Sequence, residues 1–581
     1  LVAGDGLRVF RNLGPAGFRE TTSDLGLEAL GKQTVDSLAA ADFDVDGDTD
    51  LALSIAGGGI KILRNEGGNA NLQVKVRLFG NRSNPSGIGT RVEIHSGGLR
   101  IGRRVATLPV EIGVGQHRQL ESLSARWLNL SLNEVDAQID PRSTRTLMEL
   151  VMPEGSCPYL FAWDGQRFRF VTDILGSSPL GLRATADWFV EADPDEFVWL
   201  GGPDQLQPRD GSYVFQVTEE LREVLYLDAV QLVAVDHPVG TEVFPTGKMV
   251  PKRPFPPHGI VTLHQPHPLR RAVRSDGLDV TESLQRADGR MASPVALRIP
   301  QLRGLAEPWH LTLDFGPLRV ERPLVLAMTA WLRFGGGMAN VGAAHNPDLP
   351  FPFPTLEVET APDQWRTVDL VFGVPSGKTK NFVVDLTGQL PPGSGRLRIQ
   401  TAYELHWDRI ALMEKAGEDA TRITRRNPDY ADLHYRGYGE FEEWPWYLPL
   451  TPSYERVTPN PAWHITPMGW CTRYGDVLEL VDRRDNALVL LNGGDEVTLR
   501  FAADALPPVP DGCVRGFFFY SAGWDKDSDF HCEKGWLVEP LPWYGLDDQQ
   551  YGRQARPVID GDWWIRKYNT RWVGLRTFRR G

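Results

Sequence analysis

Apolar and polar residues alternate at period two in one short stretch after another. Leu72-Gln73-Val74-Lys75-Val76-Arg77-Leu78 does so without a break, and Thr90-Arg91-Val92-Glu93-Ile94 follows after the polar turn from Gly80 to Gly89. Such alternation places every second side chain on one face of a pleated strand, so that one face is buried and the other is wet. Leu311-Thr312-Leu313-Asp314-Phe315, Leu356-Glu357-Val358-Glu359, Trp365 to Leu370, Phe382 to Leu386 and Arg396-Leu397-Arg398-Ile399 carry the same signature, with turns at regular intervals. Long stretches of helix-period apolar residues are few. The pattern predicts an all-β protein of many short strands, and the run from Trp309 to Met413 predicts a separate β-sandwich.

Composition sharpens this picture. The 581 residues are 41% hydrophobic with 59 Gly and 44 Pro, enough apolar content for several cores and enough turn formers to join many strands. A net charge of -13, spread without a long acidic run, disfavours binding to nucleic acid backbones. The basic end, Arg571, Arg576, Arg579 and Arg580, reads as a solvated or interface-bound tail. No run of about 18 apolar residues would span a bilayer. Cys157, Cys471, Cys513 and Cys532 lack CxxC spacing, which disfavours zinc ribbons and thioredoxin-type redox work, and leaves either free thiols or a bridge such as Cys513 with Cys532.

The chemistry concentrates near the start. Asp42-Phe43-Asp44-Val45-Asp46-Gly47-Asp48-Thr49-Asp50 sets carboxylates at the first, third, fifth and ninth positions and a glycine at the sixth. One short loop can then wrap a hard cation in oxygen ligands, as calcium requires. Asp42, Asp44, Asp46, Asp48 and Asp50 are therefore candidate Ca2+ ligands. Flanking strands are expected at Ser37 to Ala41 and Leu51 to Ser54, and Gly6 to Gly14 repeats as Gly59 to Gly67.

This Ala-Asp-Phe-Asp-x-Asp-Gly-Asp-x-Asp-Leu core, with its Gly-rich turn and a strand ending in Arg-Asn, resembles the FG-GAP repeats of integrin-type β-propellers. The resemblance implies calcium between the strands of a blade. About 68 residues hold little more than one repeat, whereas a closed propeller needs at least four blades, so either further blades before Leu1, the favoured expectation, or completion of another chain's sheet is implied. Asn81 to Val92, with Ile112 to Gly115 and Ser124 to Trp127, resembles the ASPIC/UnbV domain that follows such repeats in the cartilage acidic protein family; Trp127-Leu128-Asn129-Leu130 departs from its usual turn. The later chain looks like the C-terminal extensions of bacterial proteins of this kind, which implies architecture and no mechanism. The expected order is propeller blade at 1–68, ASPIC/UnbV-like domain at 69–152, β-rich domain at 153–300, jelly-roll-like sandwich at 301–415, an aromatic and Pro-rich wrapping segment at 416–465, and a β-rich module at 466–581.

Weaker candidates follow. Asp525, Asp527 and Asp529 again alternate, as a second calcium loop would, but the sixth-place glycine is missing and Lys526 intervenes. Trp331, Trp365 and Trp407, in a sandwich faintly similar to galactose-binding-like jelly rolls, are candidate glycan-stacking residues. Neither Gly-x-Ser-x-Gly nor His-Glu-x-x-His occurs, and Asp193, Asp195 and Glu196 read as a solvated loop rather than a glycosidase pair. The chain thus reads as an extracytoplasmic, calcium-binding structural or adhesion protein with a protein or polysaccharide partner. A carbohydrate-binding or carbohydrate-active protein and a subunit of a larger cell-envelope complex are the alternatives.

Overall fold

The computed structural model describes residues 4–574 except 81–82, 129–131, 136–143, 150–157, 186, 251, 299–302, 319–321, 336–352, 392, 418–420, 443, 460–465, 529–530 and 559–561. The fold is all-β, with three short α-helices among the described residues, Thr281–Gln285, Leu478–Val481 and Trp563–Tyr568. Two compact units divide the chain, Leu1–Val151 and Met152–Gly581.

In the first unit Val35–Ala41, Asp50–Ile55 and Gly59–Leu63 form an antiparallel three-stranded sheet in that order. Its inward residues Val35, Leu53 and Ile55 pack with Leu7 and Leu30. Among the described residues Gly59–Leu63 pairs only with Asp50–Ile55, and its Ile60 and Ile62 are 78% and 66% exposed. A two-layer sandwich follows. One layer sets Leu72–Phe79 between Val110–Gly115 and the parallel Thr144–Met148; the other has Arg91–Ser96 between Leu99–Arg104 and Ser122–Arg126. The strict alternation at 72–78 is the reason: Val74, Val76 and Leu78 point into the core with Val92, Ile94, Ile112, Leu123 and Trp127.

The second unit holds two sandwiches. In the first, Tyr159–Trp163, Ser212–Thr218, Asp495–Ala502 and Tyr430–Tyr435 lie side by side, facing a sheet in which Glu223–Pro238 and Cys513–Asp527 are antiparallel from Glu223↔Asp527 to Pro238↔Cys513. The chain therefore does not close a separate module at 466–581, and 153–300 is not self-contained. Glu223–Pro238 is buried on both faces, so it needs a covering layer as well as paired edges, and Cys513–Asp527, about 290 residues later, supplies the longest of those pairings. The stretch expected to wrap without regular structure contributes strands too, Arg422–Arg426, Tyr430–Tyr435 and the hairpin Tyr438–Glu442 with Thr451–Thr458.

The second sandwich is inserted between these halves. Arg271–Arg274, Leu305–Asp314, Arg396–Tyr403, Thr355–Ala361 and Gln364–Thr367 form one layer; Lys380–Asp385, Leu324–Leu332 and Leu405–Glu414 form the other. It begins earlier than the expected residue 301, because Ala272 and Leu284 enter its core with Leu313, Leu326, Phe382 and Leu412.

Candidate metal centre and other acidic clusters

The acidic loop joins Val35–Ala41 to Asp50–Ile55, and its turn is made by Val45 at φ 63° and Gly47 at φ 102°. Backbone in this region is left-handed, which Gly47 adopts freely and Val45 does not. The turn folds the chain back so that Asp42, Asp44 and Asp50 can bring one oxygen each to within 4.8 Å of one another. Backbone donors answer the loop from inside. Asp42 accepts from the N–H groups of Asp46 and Gly47, Asp46 from Asp48 N–H, and Asp50 from Phe43 and Asn65 N–H at 3.0 and 2.8 Å.

Two of the five carboxylates turn to a neighbour. Asn69 donates its side-chain amide to Asp46 Oδ2 and its N–H to Asp48 Oδ2. Asp48 Oδ1 is buried with no hydrogen-bond partner. Burial, with Asp46 and Asp50 nearby, pushes the Asp48 carboxyl above its usual value. An all-oxygen donor set, in a loop that also carries an orphaned buried carboxylate oxygen, fits a hard divalent cation. Asp42, Asp44 and Asp50, whose oxygens converge, would hold it, and the ion would neutralise charge that the loop otherwise concentrates.

Sequence reading missed the residues that reach this loop from the next strand. Lys75 Nζ lies 2.5 Å and Gln73 Nε2 3.0 Å from Asp42 Oδ2, while Asp42 N–H donates to Glu111. Burial raises the Asp42 carboxyl, but Lys75 and the Gly47 N–H outweigh it and hold the group below its ordinary range. Arg64 Nε sits 2.6 Å from Asp44 Oδ2. The signal was available: Gln73, Lys75 and Arg77 share the polar face of an unbroken alternating strand.

The second acidic run is rearranged. Asp525 is buried and does not form a loop with its neighbours; it meets Glu219 and Glu223, all three offering oxygens within 4.8 Å. Asp527 pairs across the ladder with Glu223 and is half-buried, and Asp529 lies outside the described residues. The physical reason is that 513–527 is a continuous strand, and no glycine falls within the acidic run from Asp525 to Asp529 to turn it. Burial, reinforced by the Glu219 and Asp527 charges, pushes the Asp525 carboxyl well above its usual range, and its Oδ1 has no hydrogen-bond partner. Such a trio either shares protons or holds a cation.

Asp193, Asp195 and Glu196 are not a solvated loop. Asp193 accepts from His258 at 2.9 Å, Asp195 pairs with Arg484 at 2.9 Å, and Glu196 with Asp173 encloses Lys380 Nζ at 2.9 and 3.1 Å. Asp173 is fully buried, and Ser376 Oγ donates to Glu196.

The tryptophan expectation is corrected as well. Trp407 is 1% and Trp331 3% exposed; Trp407 belongs to the sandwich core, and Trp331 stacks on His406 and donates to the Tyr447 carbonyl. The Trp365 ring has the Arg398 guanidinium 4.0 Å from its centroid. Trp331 and Trp407 offer no free face of the kind a sugar ring needs, and Trp365 stays half-buried. No disulfide joins Cys513 to Cys532, and Cys157 lies outside the described residues.

No protein-family model matches the chain, and no curated protein matches it. Two solved structures of the arabinofuranosyltransferase AftD from mycobacteria, a point mutant and the unsubstituted enzyme, align at 10% and 9% identity over 84% of this chain, each with a TM-score of 0.13. The chain spans about a third of their length, 33% and 32%.

Proposed function

We propose that this chain is a calcium-binding structural protein of the extracytoplasmic space, which engages a protein or polysaccharide partner in adhesion or assembly. The observation that carries the reading is the convergence of Asp42, Asp44 and Asp50 oxygens in the loop that also holds the orphaned, buried Asp48 Oδ1. The ion acts as a strut: it ties the two strands that flank the loop and stabilises the folded unit by binding it in preference to the unfolded chain. The edge of Gly59–Leu63 that is unpaired among the described residues, with its exposed Ile60 and Ile62, supports a partner at that sheet. No helix among the described residues is long and apolar enough to cross a membrane.

The test is thermal unfolding of chelator-treated protein titrated with Ca2+. Free calcium at about a hundred times Kd should stabilise the first unit by about 2.7 kcal/mol, and Asp44→Ala should abolish that response while the second unit melts as before. Identical melting with and without calcium would sink the reading, as would a turnover that depends on the ion.

A further inference from the structure

A cavity of about 660 Å³ opens in the second unit, lined by residues of both sandwiches. Its size falls within the roughly 300–1,000 Å³ of small-molecule sites. Two β-bulges meet there. In Asp195–Gly201 the register passes from Trp199↔Phe518 to Gly201↔Phe517, leaving Leu200 as the extra residue; in Leu405–Glu414 it passes from Thr329↔Arg409 to Ala330↔Trp407, leaving Asp408. A bulge breaks the ladder and re-aims side chains, and bulges concentrate beside binding sites. Here Leu200, Asp408, Trp199 and Thr329 all line the cavity.

Two carboxylates line the cavity, Glu242 paired with Arg409 and Asp408 accepting the N–H groups of Asp288 and Gly289, and the cationic groups are not equivalent. Lys380 is enclosed by Asp173 and Glu196, Arg515 by Asp236, and Arg409 by a two-point pair with Glu242 at 2.5 and 2.8 Å. Arg169 differs: its guanidinium donates only to the carbonyls of Phe170 and of the bulge residue Leu200, it makes no ion pair among the described residues, and its Nε is buried without a partner. Burial pulls its basicity down, a cost that an anion at the same place would offset. Thr329 Oγ1 donates to Asn381 Oδ1, and the Asn381 amide donors have no protein acceptor among the described residues. Trp199 and Phe244 add aromatic surface.

A guanidinium with no carboxylate in contact among the described residues and only the field of Asp164 to offset its burial, amide donors and aromatic surface in one cavity match a sugar that carries a negative charge. We propose that this cavity binds an acidic saccharide, with Arg169 receiving its carboxylate or sulfate and Asn381 its hydroxyl groups. The proposal deepens the partner half of the reading above and rests on it, but uses a site in the other unit.

The test is calorimetric titration of the full chain with a galacturonate oligomer, a sulfated oligosaccharide and a neutral cello-oligosaccharide, at fixed calcium. An acidic probe should bind, the neutral one should not, and Arg169→Gln should weaken binding at least about tenfold, the scale of one charge-assisted hydrogen bond. Val514 lines the cavity and is 41% exposed, so Val514→Trp should obstruct binding without touching the buried network. A preference between the two acidic probes identifies the charged group. Equal affinity for the neutral probe, an Arg169→Gln variant that folds and binds like the parent, or no binding of either acidic probe overturns the proposal. Calcium-dependent melting, read on the same sample, reports separately on the acidic loop.

Discussion

The two units meet the same difficulty, carboxylates taken out of water, in opposite ways. In the first, the five Asp of the 42–50 loop lie within nine residues, and the loop's own N–H groups turn toward them, with Lys75 and Gln73 added from the next strand. In the second, Glu219, Glu223 and Asp525 come together from strands about 300 residues apart, and Asp173 with Glu196 depends on Lys380 from the inserted sandwich. Charge answered by local backbone can be rebuilt by any short loop of the right sequence. Charge answered across sheets exists only when both sandwiches are in place, so its loss should propagate further.

The largest expected effect follows from that difference. Lys380→Met leaves Asp173 and Glu196 buried without their cation, which should destabilise the second unit by about 3–5 kcal/mol. Chemical denaturation followed by tryptophan fluorescence would measure it; a change below about 1 kcal/mol would mean that the cross-sheet pair is dispensable. Next in size, Asp50→Ala removes the acceptor of both Phe43 and Asn65 N–H. A cost of about 1–3 kcal/mol is expected, confined to the first unit, with hydrogen exchange accelerated in 35–63 and unchanged beyond 160. Spread of that exchange into the second unit would break the comparison.

The smallest effect distinguishes proton sharing from cation binding at the trio. The folded-state pKa of Asp525 lies above its unfolded value, so between these values the native chain holds a proton that the unfolded chain has released. Stability therefore falls as pH rises from about 4 through that window. Asp525→Asn mimics the protonated group and removes this slope, so relative to the parent it should gain on the order of 1 kcal/mol at pH 8 over pH 4, read from urea midpoints. A variant that loses stability at pH 8 only when calcium is present would show instead that the trio holds an ion.

The strands were largely readable because alternation is a local consequence of one face being buried, and 72–78 and 311–315 follow it closely. Fully buried strands were another matter. Glu223–Pro238 and Leu324–Leu332 are buried on both faces, so period two carries no information about which neighbours they take. That is why 466–581 looked like a module of its own. The acidic loop was readable for the opposite reason, since its donors are consecutive, whereas its Lys75 partner lies 33 residues on. Trp331 and Trp407 misled because aromatic content does not say whether a ring faces water.

By itself the sequence determined the all-β class, the position of most strands and the oxygen-rich loop at 42–50, because each depends on residues close together in the chain. Only the tertiary structure decided how the first sandwich of the second unit is shared between 159–238 and 422–573, that Asp525 meets Glu219 and Glu223, and that two bulges converge around Arg169. Strand partners are chosen by burial and hydrogen bonding across the whole unit, and no local pattern records that choice.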